Sequence, residues 1–174
     1  MNLHHEFHGP ADAPVVLLSS GLGGSAAFWQ PQIPALVAAG FRVLAYDQAG
    51  TGRSPGALPT PYSIAHMARD VVDLLDATGV ARCHVVGHAL GGLVGLELAL
   101  RAPARVASLV PVNAWSRPNV HSARCFDARL ALLQQYLPLA VRHGTRTLTA
   151  LASLLLMLLS WSLFRRKRQG WLAA

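Results

Sequence analysis

The amino-acid sequence predicts an α/β fold in which helices flank a parallel β-sheet, followed by an apolar C-terminal helix. Short runs of β-branched and aliphatic residues alternate with longer amphipathic stretches as far as about residue 113. This alternation is typical of parallel sheets whose strands are joined by crossover helices. The loops that follow the strands are rich in glycine, which permits sharp turns. A chain of 174 residues is long enough for one core.

Each predicted element has its own local signal. Residues 15–18 form a continuous aliphatic run, which predicts a strand buried on both faces. Residues 28–40 contain early prolines and end in glycine, the asymmetry expected of a helix. Ser63 is a suitable N-cap for the next helix, which Gly79 ends. Further strands are predicted at 41–46, 82–86 and 106–112, a third helix at 90–100, and another helix within 115–137.

The positive charge of the chain is concentrated near its C-terminus. The chain has 15 basic and 8 acidic residues and a formal net charge of +7. From residue 140 onward there are six basic residues and no acidic residue, so the preceding part is nearly neutral. A basic tail without a basic surface over the domain gives no reason to expect a nucleic-acid partner.

Cysteine and histidine positions do not predict a metal or cofactor site. Cys83 and Cys125 lack the spacing of a disulfide framework or a zinc site. The histidines near the N-terminus (His4, His5 and His8) are predicted to belong to a flexible, solvated terminus. This terminus has no basic start followed by an apolar run, so a cytoplasmic location is expected.

Candidate site residues lie in the loops that follow the predicted strands, where open parallel sheets form their sites. The glycine-rich loop 21–25 leaves backbone N–H groups free, and the N–H of Leu22 is the expected donor to an oxyanion. Asp47 follows the second predicted strand, where a structural role, accepting local hydrogen bonds, is favoured over a catalytic one.

The segment Gly87-His88-Ala89-Leu90-Gly91 has the form of a nucleophile elbow. In the G-x-S-x-G turn, the central serine attacks the substrate and the next N–H faces the oxyanion. Here the centre is Ala89, which excludes a covalent intermediate at this position, whereas Leu90 keeps its N–H. His88 is a candidate for orienting a water molecule, although packing into the scaffold is the favoured alternative.

Together these residues resemble the α/β-hydrolase superfamily, and within it the pyrimidine-utilisation branch. The Gly-His-Ala-Leu-Gly elbow is the most discriminating feature, because ordinary esterases have serine at its centre. The resemblance extends from about Ala11 to Leu133 and is carried by residues 11–16, 20–25, 46–52, 62–65, 85–91 and 112–126.

The resemblance implies a small-molecule hydrolase that acts on the C–N bond of aminoacrylate or carbamate in uracil degradation. Without a nucleophile, a bound water would attack while the N–H groups of Leu22 and Leu90 stabilise the developing negative charge. The implied substrate pocket contains Ser20, Trp115 and His121, and no cofactor or metal is implied.

The end of the chain departs from the family pattern. The predicted organisation is a truncated α/β-hydrolase domain at 1–139 and a basic, apolar tail at 140–174, without the later acid and histidine that the family implies. Residues 148–164 contain no charge and eight leucines. Two interpretations stay open: a membrane helix through 148–164, or translation out of frame. An inactive remnant and a membrane-anchored hydrolase-like protein are the alternative functions, and the oligomeric state is not predicted.

Overall fold

A five-stranded mixed sheet forms the centre of the part that the computed structural model describes, residues 3–115 and 120–143. Two short 3₁₀ turns, Ala26–Trp29 and Pro103–Arg105, accompany the regular elements. In chain order these elements are β1 (His5–His8), β2 (Val15–Ser19), α1 (Ile33–Ala38), β3 (Arg42–Tyr46), α2 (Ile64–Ala77), β4 (Cys83–His88), α3 (Leu90–Arg101), β5 (Val106–Val112) and α4 (Val120–His143).

The strand order is β1-β3-β2-β4-β5, and the strands from β2 to β5 run parallel as the sequence predicts. The predicted strand 106–112 coincides with β5, and the other predicted strands differ from β2, β3 and β4 by one or two residues at their ends. The α/β class is therefore confirmed.

The N-terminal segment corrects two predictions. Residues His5 to His8 form β1, which pairs antiparallel with β3, so the sheet is mixed and not purely parallel. The predicted flexible, solvated terminus is therefore an edge strand of the sheet. The backbone carbonyl of His4 accepts a hydrogen bond from the N–H of Asp47 at 2.9 Å, which extends the pairing. The guanidinium of Arg42 lies 3.7 Å from the centre of the Phe7 ring and covers this strand by a cation–π contact.

The predicted helix over 28–40 is also wrong in part. The segment divides into the 3₁₀ turn at Ala26–Trp29 and the short helix α1. Pro31 and Pro34 have no backbone N–H, so they cannot supply two of the hydrogen bonds that one continuous helix needs. By contrast, Ser63 caps α2 as predicted, its hydroxyl accepting a hydrogen bond from the N–H of His66.

Two hydrophobic clusters cover the two faces of the sheet. One packs α2 and α3 against the sheet, and Leu75, Val94 and Leu98 are among its buried members. The other packs the 3₁₀ turn and α1 against the opposite face, around Trp29 and Ile33. Most residues of β2 and β3 are consequently buried, as parallel strands with covered faces should be.

The chain divides into two compact units, Met1–Ser116 and Arg117–Ala174. Within the second unit, α4 confirms the helix predicted within 115–137 and extends beyond it. The predicted apolar helix at 148–164 lies outside the described residues, and the division at 139/140 stays a prediction. Among the described helices, none has the length and apolarity required to cross a membrane.

Candidate active site

A sharp turn at Ala89 joins β4 to α3 with no intervening loop. Ala89 has φ 50° and ψ −112°, a conformation that non-glycine residues rarely adopt. Its N–H donates to the carbonyl of Val112 at 2.9 Å, and its own carbonyl accepts a hydrogen bond from the N–H of Gly92 at 3.0 Å. The elbow therefore keeps its strained backbone, although it carries a methyl group in place of a nucleophile.

The elbow packs directly against the end of β2. A Cβ added at Gly91 would lie 2.2 Å from the carbonyl oxygen of Ser19 and 2.6 Å from that of Ser20. Only glycine allows this approach of α3 to the strand. This contact brings the two strand ends that carry the predicted site next to each other.

The loop after β2 forms a tight turn beside the elbow. The N–H of Gly24 donates to the carbonyl of Gly21 at 2.9 Å, and Gly23 has φ +73°, which is typical of the third position of a type II turn. Leu22, at the second position of this turn, is 74% exposed. Among the described residues, no hydrogen bond uses the N–H of Leu22 or of Leu90.

The His88 ring packs on the face of the sheet that the 3₁₀ turn covers. It stacks on Phe28 with ring centroids 4.9 Å apart and an interplanar angle of 26°. A Cβ added at Gly21 would lie 3.2 Å from Nδ1 of His88 and 3.6 Å from Cβ of Ala89. His88 thus lies between the glycine turn and Phe28, where it contacts the scaffold and borders the elbow.

Ser20 directly follows β2 and is buried beneath the surface of the candidate site. Its carbonyl accepts a hydrogen bond from Nε2 of Gln48 at 2.8 Å. The side chain is buried, with 1% of the residue exposed, and its hydroxyl has no hydrogen-bond partner among the described residues. Nε1 of Trp29, which is also buried, likewise has none within that part of the chain. Buried polar atoms without partners are uncommon and costly, so each calls for an explanation.

Asp47 holds the neighbouring loop in place, as predicted. Its carboxylate accepts hydrogen bonds from the N–H groups of Ala26 and Arg53, both at 2.7 Å. Burial opposes ionisation, but these two hydrogen bonds and the Arg53 guanidinium outweigh it and lower the pKa of Asp47. Asp47 therefore connects the 3₁₀ turn that carries Phe28 to the loop after β3.

Comparison with known proteins identifies the architecture around this elbow. The sequence profile described as alpha/beta hydrolase fold matches residues 14–167, which is most of the chain.

The chain belongs to the α/β-hydrolase family.

Similar members of the α/β-hydrolase family include proteins whose names assign an activity. The chain is 77% identical over 133 residues to RutD of Variovorax paradoxus (strain S110), which is named as a carbamate hydrolase. The aligned residues are 76% of this chain and 50% of that protein. It is 59% identical over 140 residues to the protein of the same name from Stutzerimonas stutzeri (strain A1501). That alignment includes 79% of this chain and 52% of the relative.

A solved structure shares the fold. The crystal structure of a hydrolase from Pseudomonas aeruginosa matches with a TM-score of 0.68 and 32% identity, covering 88% of this chain and 62% of that one. The chain spans about half the length of the curated relatives it matches. These similarities show the shared fold and the family, over about half of the relatives' length.

Within this α/β-hydrolase, the structure brings together Ser20, Leu22, His88, Ala89 and Leu90 from the ends of β2 and β4. Trp115 is half-buried in the first unit. His121 belongs to α4 in the second unit, and its side chain lies outside the described residues. The roles assigned to all seven residues stay predictions.

Sequence patterns missed two contacts at this α/β-hydrolase site. Phe28 positions the His88 ring, and Gln48 anchors the Ser20 backbone. Phe28 resembles any apolar helix residue in the sequence, whereas Gln48 directly follows Asp47 and could have been noticed as a polar residue at a strand end.

Further polar groups of this α/β-hydrolase lie away from the elbow. A cleft of about 420 Å³ opens between β1 and the loop after β3, with Glu6, His8 and Arg53 in its walls. Its lining includes neither His88 nor Ala89. No group of three or more His, Cys, Asp or Glu side chains in the described ranges is arranged to hold a metal ion.

Proposed function

We propose that this chain assists the hydrolysis of a carbamate C–N bond, with water as the nucleophile. The observation that carries the proposal is the elbow itself: Ala89 keeps the strained turn, and the Leu90 N–H beside it is not used by any described residue. The names of the relatives supply the substrate class. Aminoacrylate, a second small anion with a C–N bond, is the other candidate substrate.

The absence of a hydroxyl at Ala89 requires a mechanism without an acyl-enzyme. The oxygen of a bound water forms a bond to the carbamate carbon, and the C–N bond then breaks. Carbamate and water together give ammonia and bicarbonate, so a proton must pass from the water to the leaving nitrogen. The enzyme contributes by positioning the reactants and by stabilising negative charge.

The N–H groups of Leu22 and Leu90 are the proposed donors to that charge. Leu90 is the first residue of α3, where the helix presents unpaired N–H groups and the positive end of its dipole. Ser20 and Trp115 are proposed to line the substrate pocket, and the role of His121, whose side chain lies outside the described residues, stays a prediction from the sequence. A cytoplasmic location stays a prediction, as does membrane association through residues 148–164.

The test is ammonium release by the purified full chain from carbamate, and in parallel from aminoacrylate, at an alkaline pH that slows spontaneous breakdown. We expect a rate above that of buffer and of heat-denatured protein. Leu90→Pro removes the one N–H at a helix position that tolerates proline, and the expected loss is about 10²- to 10³-fold.

Leu90→Ala is the matched control, because it shortens the same side chain and keeps the N–H. Circular dichroism and thermal melting establish that both variants are folded. A wild-type rate equal to that of buffer for both substrates would instead support the alternative that the chain is non-catalytic.

A further inference from the structure

The cleft beside β1 is a space of about 420 Å³ whose lining includes neither His88 nor Ala89. This volume falls within the range of small-molecule sites. Glu6 of β1 is paired with Ala45 of β3, so the two strands that carry these residues form one side of the cleft. The space exists because four of the lining residues have no side chain beyond Cβ, namely Ala26, Ala27, Ala45 and Gly52.

The charged side chains of the cleft favour a cation. Its lining contains two carboxylates, Glu6 and Asp47, and one guanidinium, Arg53. Hydrogen bonds from Arg53 and His4 lower the pKa of Glu6, so Glu6 is ionised at neutral pH. Nη2 of Arg53 lies 2.5 Å from Oε1 of Glu6, and its Nε lies 3.8 Å from Oδ2 of Asp47. With histidine neutral, these groups carry a formal charge of −1, which attracts a cation and repels an anion.

One carboxylate oxygen of Glu6 is available to a ligand. Within the described residues, the hydrogen bonds to Glu6 from His4 and Arg53 both reach Oε1. Nε2 of His8 lies 3.6 Å from Oε2, which is too far for a hydrogen bond. A guanidinium or amidinium binds best to both oxygens of a carboxylate. Because Oε1 is already in use, a primary ammonium, which needs a single acceptor, fits Glu6 better.

The rest of the lining suits a short alkyl chain that ends in this ammonium. Ser25 caps the 3₁₀ turn without using its hydroxyl, and the exposed Gln30 side chain brings an amide oxygen, so both can accept an N–H hydrogen bond. Ile33 and Ala45 are buried and apolar. No Phe, Tyr or Trp lines the cleft in the part of the chain that the structure describes, so it lacks the aromatic cage that quaternary ammonium ions require.

We propose that this cleft binds a small primary alkylammonium ion. The ammonium donates to Oε2 of Glu6, and the alkyl chain lies against Ala45 and Ile33. This binding goes beyond the proposed hydrolysis, because it uses a separate site and needs no turnover. A suitable probe is n-butylamine, which is protonated at neutral pH as the lysine side chain is.

Nuclear magnetic resonance titration of the full chain with n-butylamine at neutral pH tests the proposal. The backbone N–H signals of Ala27, Gly52 and Arg53 should shift and saturate, with a dissociation constant in the millimolar range that suits so small a ligand. The matched compounds n-butanol and butyrate lack the positive charge, and butyltrimethylammonium lacks the N–H donors. Equal binding of any of these compounds, or no saturable shift with n-butylamine, would overturn the proposal.

Two glutamate variants separate binding in the cleft from a general effect of charge. Glu6→Gln keeps the size of the side chain and removes its charge, so the affinity for n-butylamine should fall roughly tenfold or more. Glu97→Gln is the matched control, because Glu97 also pairs with an arginine, Arg101, but belongs to α3 and not to the cleft. Circular dichroism establishes that both variants are folded. The same affinity in both variants would contradict the role of Glu6.

A variant that fills the cleft tests the location independently of charge. Ala27 is exposed, so Ala27→Leu adds a side chain to the cleft without overpacking the core. Binding of n-butylamine should be lost although Glu6 is intact. Ala35→Leu adds the same side chain at an exposed position of α1 outside the cleft and should bind as the wild type does. Undiminished binding in Ala27→Leu would place the ligand elsewhere and refute the proposal.

Discussion

At the scale of single residues, Asp47 does most to keep the candidate site in shape. It is 2% exposed and ionised, and it receives backbone hydrogen bonds from both sides of the site. A buried carboxylate that is satisfied in this way is stabilising, because its loss would leave two N–H groups unpaired. Its contribution depends on pH through its lowered pKa.

We expect Asp47→Asn to reduce the free energy of unfolding at neutral pH by about 2–3 kcal/mol. Because the folded-state pKa of Asp47 is lowered, its stabilisation is fully present above the ordinary carboxyl pKa of about 4. It is lost as the pH falls through the lower, folded-state value. Urea unfolding between pH 7 and pH 3 should therefore show the two proteins converging at the acid end.

Glu6→Gln is the control for this pH series. Hydrogen bonds from Arg53 and His4 lower the pKa of Glu6 as well, but its side chain is 40% exposed. Solvent screening makes such pairs weak, so the variant should unfold close to the wild type at neutral pH. A difference between wild type and Asp47→Asn that stays constant down to pH 3 would count against the role given to Asp47.

At the scale of secondary-structure elements, the site depends on how closely α3 approaches β2. The first turn of α3 contains Gly91 against the carbonyls of Ser19 and Ser20, and Gly92 against Ala114. These contacts fix the Leu90 N–H relative to the glycine turn after β2. The proposed oxyanion donors consequently belong to two different elements. The distance between these elements depends on Gly91 having no side chain.

Gly91→Ala should destabilise the protein and separate these elements. On an exposed helix this change would stabilise by about 0.5–1 kcal/mol. Here the added Cβ would lie 2.2 Å from the Ser19 oxygen, and such overpacking costs about 1–3 kcal/mol. The midpoint of urea unfolding measures the loss. Ala35→Gly, on the exposed side of α1, is the control, because it measures the cost of glycine relative to alanine in a helix without overpacking. A Gly91→Ala variant that is more stable than the wild type would disprove the close approach of α3 to β2.

At the scale of the whole molecule, the described part is covered unevenly. The strands β2 and β3 are buried on both faces, whereas Val110 and Val112 of β5 are 52% and 42% exposed. Within the described residues, β5 pairs only with β4 and forms one edge of the sheet. Exposed edges that carry apolar side chains favour association between molecules.

Val110→Thr should lower the tendency of the purified chain to aggregate, because it replaces an exposed methyl with a hydroxyl of the same shape. Static light scattering during incubation at rising protein concentration measures this. Leu100→Thr is the comparison, since Leu100 is 80% exposed but belongs to α3 and not to the edge strand. Equal reductions in both variants would indicate general surface hydrophobicity and not the edge of β5.

Local patterns were sufficient for much of this fold. The aliphatic run of β5 and the Ser63 cap of α2 were predicted where they occur, because the strand preference of β-branched residues and helix capping act over a few neighbouring residues. Strand β1 was missed, because His5-Glu6-Phe7-His8 has a single strongly apolar residue and its pairing partner, β3, is distant in sequence. The predicted helix 28–40 is interrupted before α1 because Pro31 and Pro34 lack the backbone N–H groups that a continuous helix needs.

The sequence by itself determined the α/β class, the elbow and the absence of a nucleophile at Ala89, since these depend on residue type and local turn geometry. Tertiary structure alone decided that β1 makes the sheet mixed, that Phe28 stacks on His88, and that the Ser20 hydroxyl is buried without a partner among the described residues. Those features arise from strand register and the packing of distant elements. Such contacts depend on the relative placement of whole elements, which no local window of residues specifies.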